Sequence, residues 1–179
     1  MRIVAGKYRH RLIEYPNNAE YIRPTKDRIR EALFSALGDI NGLTVLDLYA
    51  GSGAMGIEAL SRGAFKCVFV DNNQIAYKTV KNNLNNLGIE DYELIFDEDK
   101  KALELFKSKG YKFDLVILDP PYKSECYIEV INYLISNNLL NKNARIVTEC
   151  NRVLDFSSIQ SERIKEYRYG EILVNVLYL

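Results

Sequence analysis

Between Thr44 and Glu149 the chain alternates between short apolar runs and segments with helical spacing. "TVLDLY" (44–49), "CVFVD" (67–71), "YELIF" (92–96), "FDLVILD" (113–119) and "ARIVTE" (144–149) read as strands. Between them, "AMGIEALSRG" (54–63, closed by Gly63), "NQIAYKTVKNNLNNLG" (73–88), "KKALELFKSKG" (100–110) and "YIEVINYLISNN" (127–138) read as helices. In the second of these, apolar residues recur at Ala76, Val80, Leu84 and Leu87, and Gly88 supplies the stop. Parallel strands need long crossovers, and a helix is the usual one. The alternation therefore predicts an α/β chain with a mostly parallel sheet and helices on both faces.

The two ends break this rhythm. "SERIKEYRYGEILVNVLYL" (161–179) reads as two strands joined through Gly170, with Ile172, Val174, Val176 and Tyr178 on one face. An antiparallel hairpin on the sheet edge fits that pattern. At the start, "MRIVAGKYRHRLIEY" reads as a basic hairpin turning near Gly6 and Lys7. Thr25 is placed to cap a helix over 26–37, with Ile29, Leu33, Phe34 and Leu37 inward and Gly38 as the stop.

A chain of 179 residues is expected to form one domain, with 1–24 as a basic N-terminal arm and 25–179 as the core. Its 47% hydrophobic and 27% charged residues are those of an ordinary soluble protein, and no apolar run reaches membrane-spanning length. The N-terminus is too basic for a secretory signal. Cys67, Cys126 and Cys150 are odd in number and lack ligand spacing, which points to a reducing compartment, the cytoplasm, and to no metal site. The net charge of zero hides an asymmetry: residues 1–30 hold eight Lys/Arg against three acids. A basic arm on a mildly acidic body suits a polyanionic partner, although on charge alone a solvated surface is the commoner reading.

The first strand runs into "DLYAGSGAMG", where Gly51, Gly53 and Gly56 satisfy G-x-G-x-x-G at a strand–helix junction. Small residues there let backbone approach a ligand at a helix N-terminus. Asp71, twenty residues after Gly51 at the next strand end, is placed to accept hydrogen bonds from a ribose diol. Asp47, just before the loop, suits a cationic ligand such as S-adenosylmethionine, which has an ammonium, a sulfonium and no pyrophosphate. Asp47 is equally placed to cap the turn by accepting loop amides. "DEDK" (97–100) ends the third strand, where an adenine amino group would be read, although a helix N-terminus favours acids anyway.

The fourth strand ends in Asp119-Pro120-Pro121-Tyr122. Prolines lack an N–H and end sheet pairing, so they fix the tip's geometry and leave the Pro120 carbonyl free. The lone pair of an exocyclic nucleobase amine is delocalised into the ring. The Asp119 carboxylate and Pro120 carbonyl together form an acceptor pair that would hold both amine hydrogens and localise that lone pair toward a methyl donor. Tyr122 would stack on a flipped base. His10, the lone histidine, sits among arginines and shows no sign of general-base work. Methyl transfer from a sulfonium needs neither a metal nor a nucleophile triad; binding geometry and electrostatics supply most of the catalysis.

These residues resemble the class I S-adenosylmethionine-dependent methyltransferases that act on exocyclic amines, marked by [D/N]-P-P-[Y/F]. "MRIVAGKYRHRLI", "IRPTKDRIREALFSAL", "LDLYAGSGAMGIEALSRGA" and "LDPPY" together resemble the RsmD family of bacterial 16S rRNA guanine-N2 methyltransferases. The resemblance runs from the first residues to the closing hairpin. It implies a Rossmann-like, seven-stranded sheet in the order 3-2-1-4-5-7-6 and an S-adenosylmethionine crevice formed by Asp47, Gly51, Ser52, Gly53 and Asp71. Tyr49, Ala50, Gly56 and Asn72 flank these residues and complete the candidate cofactor set. Catalysis is implied at Asp119, Pro120, Pro121 and Tyr122. The resemblance also implies that Arg2, Lys7, Arg9 and Arg11 contact rRNA phosphates, and that Arg23, Pro24 and Thr25 match an R-P-T element near the substrate mouth.

One segment departs from the family. Where it usually shows Asn-Asp-Ala, this chain reads Asp97-Glu98-Asp99, and the adenine reader is either Asp97, by the strand end, or Glu98, by counting back from Leu103. The expected partner is 16S rRNA, within an assembled or partly assembled small subunit, met by a monomeric, non-membrane enzyme. The alternatives are a DNA adenine-N6 or protein glutamine-N5 methyltransferase, since the same tip serves other planar amines, or a catalytically silent RNA-binding module.

Overall fold

The structure is a computed structural model and describes residues 1–15, 27–121 and 125–179. Arg23, Thr25 and Tyr122 lie outside the described residues. The core alternates as the sequence predicts: α1 (Asp27–Leu37), β1 (Thr44–Asp47), α2 (Ala54–Ser61), β2 (Lys66–Asp71), α3 (Gln74–Leu87), β3 (Tyr92–Phe96), α4 (Asp99–Lys109), β4 (Phe113–Leu118), α5 (Tyr127–Ser136), β5 (Leu140–Cys150), β6 (Arg163–Tyr169) and β7 (Ile172–Tyr178). The seven strands form one sheet in the order β3-β2-β1-β4-β5-β7-β6. The first five are parallel, and β7 runs antiparallel between β5 and β6. This is a Rossmann-like class I methyltransferase sheet.

Strand residues alternate between two cores because helices cover both faces. Val45, Phe69, Leu115 and Ile117 face α1, α2 and α3, whereas Leu46, Val68, Val116 and Leu118 face α4 and α5. Ile29, Leu33, Phe34 and Leu37 are buried on α1, as their spacing predicts. The helix stops are also where the sequence puts them: Gly88 and Gly110 end α3 and α4 in left-handed conformation. Gly170, with φ of +65°, opens the two-residue loop between β6 and β7. β5 is longer than expected, starting at Leu140 rather than at 144, and its register against β4 shifts between Phe113 and Leu115.

The N-terminal residues form a small antiparallel hairpin with one bridge, Arg2 to Leu12, and its Ile3 and Ile13 enter the α1/α2/α3 core. α2 holds this arm by hydrogen bonds. Glu58 accepts the Val4 and Ala5 amides at 2.8 and 3.0 Å, and Ser61 accepts the Tyr8 amide at 3.0 Å through Oγ and the Lys7 amide at 2.7 Å through its carbonyl. Gly6 meets α2 so closely that a Cβ there would lie 1.8 Å from the Ser61 carbonyl oxygen.

A second link was not legible in the sequence. Arg30, counted with the basic arm by its position, is wholly buried and pairs with Glu58 at 3.4 Å and Asp27 at 2.9 Å, and it also donates to the Arg2 carbonyl. Glu58 is wholly buried too and accepts from Arg62 at 2.7 Å. No helix among the described residues is long and apolar enough to cross a membrane.

Candidate active site

Because β1, β2, β4 and β5 are parallel neighbours, their carboxyl ends open onto one crevice. Each brings an acid there: Asp71 on β2, Asp47 on β1, Asp119 just past β4 and Glu149 on β5. Asp47 is 2% exposed, and its Oδ2 accepts the Gly56 amide at 2.9 Å, so the turn-capping role is realised. Burial pushes its carboxyl up to about 7; the Gly56 amide pulls it back and the Asp71 charge adds to the rise.

The glycine loop is pinned between two strands. The Leu48 amide donates to the Ile117 carbonyl at 3.2 Å and the Ala50 amide to the Val70 carbonyl at 3.0 Å. Gly51 and Gly53 have φ of +56° and +78°, which a side chain would resist. Asp71 receives the Gly51 amide on Oδ2 and the Asn73 amide on Oδ1, both at 2.8 Å. Burial raises its carboxyl and the three amides of Asn73, Gly51 and Asn72 lower it. Ser52 is buried and Asn72 exposed. The third glycine serves packing instead, since a Cβ on Gly56 would lie 2.3 Å from the Phe69 ring and 2.7 Å from Cys67 Sγ. Its missing side chain lets α2 sit on β2, and its amide caps Asp47.

Tyr49 spans the crevice rim. Its hydroxyl donates to Asp99 Oδ2 at 2.7 Å and touches Cys126 Sγ at 3.0 Å, tying the β1 loop to the starts of α4 and α5. Burial and these two partners hold its proton far more firmly than in free tyrosine. Of the three adjacent acids, Asp99 is therefore engaged. Asp97 accepts the Glu98 amide at 2.9 Å, and Lys101 lies 3.5 Å from Asp97 and 3.9 Å from Glu98.

Asp119 lies beside Glu149, because Leu118 and Thr148 are in register on β4 and β5. Burial, then Glu149, then Asp47 push the Asp119 carboxyl well above the usual carboxylate range. Pro120 is buried and Pro121 exposed. Glu149 is 6% exposed and was not singled out from the sequence. The signal that marks Asp47, Asp71 and Asp119, an acid closing an apolar strand, recurs in "ARIVTE".

Like charges crowded in a low-dielectric crevice favour their neutral forms, and a bound cation reverses that preference. The donor set thus fits a ligand carrying an ammonium and a sulfonium.

On the arm, Lys7, Arg9 and Arg11 are exposed, with Lys7 over the Tyr8 ring at 5.1 Å. Arg11 donates to the Asn86 carbonyl at 2.9 Å, and Arg2 pairs with Asp27 at 3.3 Å. Two of the four candidate phosphate contacts therefore also hold the arm in place.

The sheet order and the acid-lined crevice define a class I methyltransferase. The sequence-family profile described as "Conserved hypothetical protein 95" matches residues 1–178. Ribosomal RNA small subunit methyltransferase D of Haemophilus influenzae is 38% identical over 154 residues, covering 83% of this chain and 78% of that protein. Its Escherichia coli K12 namesake is 33% identical over 150 residues, covering 83% and 74%. A solved structure of a hypothetical protein from Thermus thermophilus superposes with a TM-score of 0.83 at 25% identity, covering 100% of this chain and 99% of that one. The chain belongs to this family and is a class I S-adenosylmethionine-dependent methyltransferase related to the bacterial RsmD rRNA methylases.

Proposed function

We propose that the enzyme methylates the exocyclic N2 amine of a guanine in 16S rRNA, acting as a monomer on an assembled or partly assembled small subunit in the cytoplasm. The observation that carries this reading is the Asp119-Pro120 tip set beside Asp47 and Glu149 in one crevice. S-adenosylmethionine, when bound, supplies an electrophilic methyl group. Asp47, Tyr49, Ala50, Gly51, Ser52 and Gly53 would form its cradle, with the Gly56 amide holding Asp47 in place; Asp71 and Asn72 would take the ribose, and Asp97 or Glu98 the adenine.

The Asp119 carboxylate and the Pro120 carbonyl accept the two N2 hydrogens and localise the nitrogen lone pair. Methylation would leave the nitrogen with one proton to lose, and the Asp119 carboxylate, already accepting one of its hydrogens, would take it. Tyr122 stacks on the base. Lys7 and Arg9 at the arm's turn, with Arg2 and Arg11 behind them, hold the RNA backbone, and Arg23 and Thr25 serve the same end. Residues 1–24 thus act as an arm on the core of 25–179.

Nucleoside mass spectrometry of 16S rRNA from a strain lacking the gene tests this. One N2-methylguanosine is expected to disappear and to return on complementation with the wild-type gene but not with Asp119→Ala. An unchanged modification map would contradict the proposal.

A further inference from the structure

Asn83 sits in the middle of α3 and is only 1% exposed. A buried primary amide costs free energy unless its donors and acceptor are satisfied. All three bonds that satisfy it leave the helix. Nδ2 donates to the Ser52 carbonyl at 3.0 Å and to the Glu14 carbonyl at 3.1 Å, and Oδ1 accepts the Glu14 amide at 2.7 Å. Two carbonyls and one N–H fix which way the amide points. One end of this bracket is the middle of the glycine loop. The other is the chain just after Ile13, where the arm's returning strand leaves the core.

The arm depends on its docked contacts for its shape. A two-stranded hairpin of about this size is marginal in isolation, and this one holds together by docking on α2 and α3 through Glu58, Ser61 and Asn83. An arm lifted from this seat would take away two of the three Asn83 partners and leave a poorer anchor for the Ser52 carbonyl.

We propose that Asn83 is a positioning residue that couples arm seating to the geometry of the cofactor loop. RNA held by the seated arm then tightens cofactor binding, and bound cofactor tightens RNA binding by the same factor, since a coupling free energy is reciprocal. This rests on the readings above of the arm as RNA contact and the loop as cofactor cradle. It adds the link between them.

Equilibrium dialysis of labelled S-adenosylhomocysteine tests the link, with and without small ribosomal subunits from cells lacking the gene. Wild-type protein is expected to bind the ligand about fivefold or more tightly when subunits are present. In Asn83→Leu the ratio falls to near one, while methyl transfer persists at saturating cofactor. Asn86→Ala, an exposed change on the same helix, keeps the wild-type ratio. A purely structural Asn83 would lower affinity in both conditions and leave the ratio intact, and that result overturns the proposal.

Wild-type protein that neither binds the ligand nor methylates subunits overturns the functional reading itself. Wild-type protein that does both with a ratio of one overturns only the coupling. Should Asn83→Leu not fold, hydrogen exchange on the wild type decides. Ligand is expected to slow exchange at the Glu14 amide severalfold, and an unchanged rate there contradicts the link.

Discussion

The crevice and the arm junction both bury carboxylates, but in opposite ways. At the junction, Glu58 is wholly enclosed, yet Arg30 and Arg62 face it and two arm amides donate to it. In the crevice, burial first and neighbouring acids second hold the protons of Asp47 and Asp119 firmly. The first arrangement answers its own charge and is a structural fastening. The second gathers acids at neighbouring strand ends, and under the proposed function a cationic ligand completes it. Buried acids therefore differ in meaning according to what surrounds them.

Changes at each place should break that contrast in different measurements. Glu58→Leu leaves buried Arg30 with Asp27 as its acid and strands two arm amides, and breaking a buried pair costs about 3–5 kcal/mol. Chemical denaturation is expected to show a loss of that size, with the arm's amides exchanging freely. Asp119→Ala should leave the unfolding midpoint nearly unchanged or raised, because it relieves like-charge crowding, while methyl transfer falls about 100-fold or more and S-adenosylhomocysteine still binds. Gly56→Ala forces a methyl into the Phe69 ring and should cost about 1–3 kcal/mol, partly recovered by Phe69→Leu.

The pH response sharpens the comparison. Folded Asp47 keeps its proton to about pH 7, whereas an ordinary aspartate releases it near 3.8. Between those values the folded state binds more protons than the unfolded one, so stability of the ligand-free protein falls as pH rises through the window. Affinity for the cationic cofactor should climb through the same window as the group ionises. Thermal unfolding and equilibrium dialysis across that range check both signs. The smallest effect is expected for Arg9→Ala, exposed at the arm's turn. One phosphate contact less should lower the slope of log affinity against log salt by about 0.7–0.9 without altering cofactor affinity.

The parallel part of the sheet was legible because β1 to β4 each run into a helical crossover and each helix ends in a glycine or a turn; the hydrophobic periods carry that information locally. The candidate site was legible where chemistry and strand ends coincide, at Asp47, Asp71 and Asp119. Glu149 carried the same mark but no adjoining motif. Arg30 and Glu58 were hidden for a physical reason. Their burial is created by the arm folding back over α2, a long-range event that neither residue's local pattern records. Asn83 was hidden in the same way, since on α3 it reads as one more polar helix residue.

The acid-lined crevice is the proposed seat of methyl transfer to guanine N2 in small-subunit rRNA. Purified enzyme, labelled S-adenosylmethionine and small subunits from cells lacking the gene test it most directly, with the methylated nucleoside identified by mass spectrometry. Wild-type protein should yield N2-methylguanosine and Asp119→Ala none. Label in N6-methyladenosine or in protein, or undiminished transfer by the variant, would contradict it.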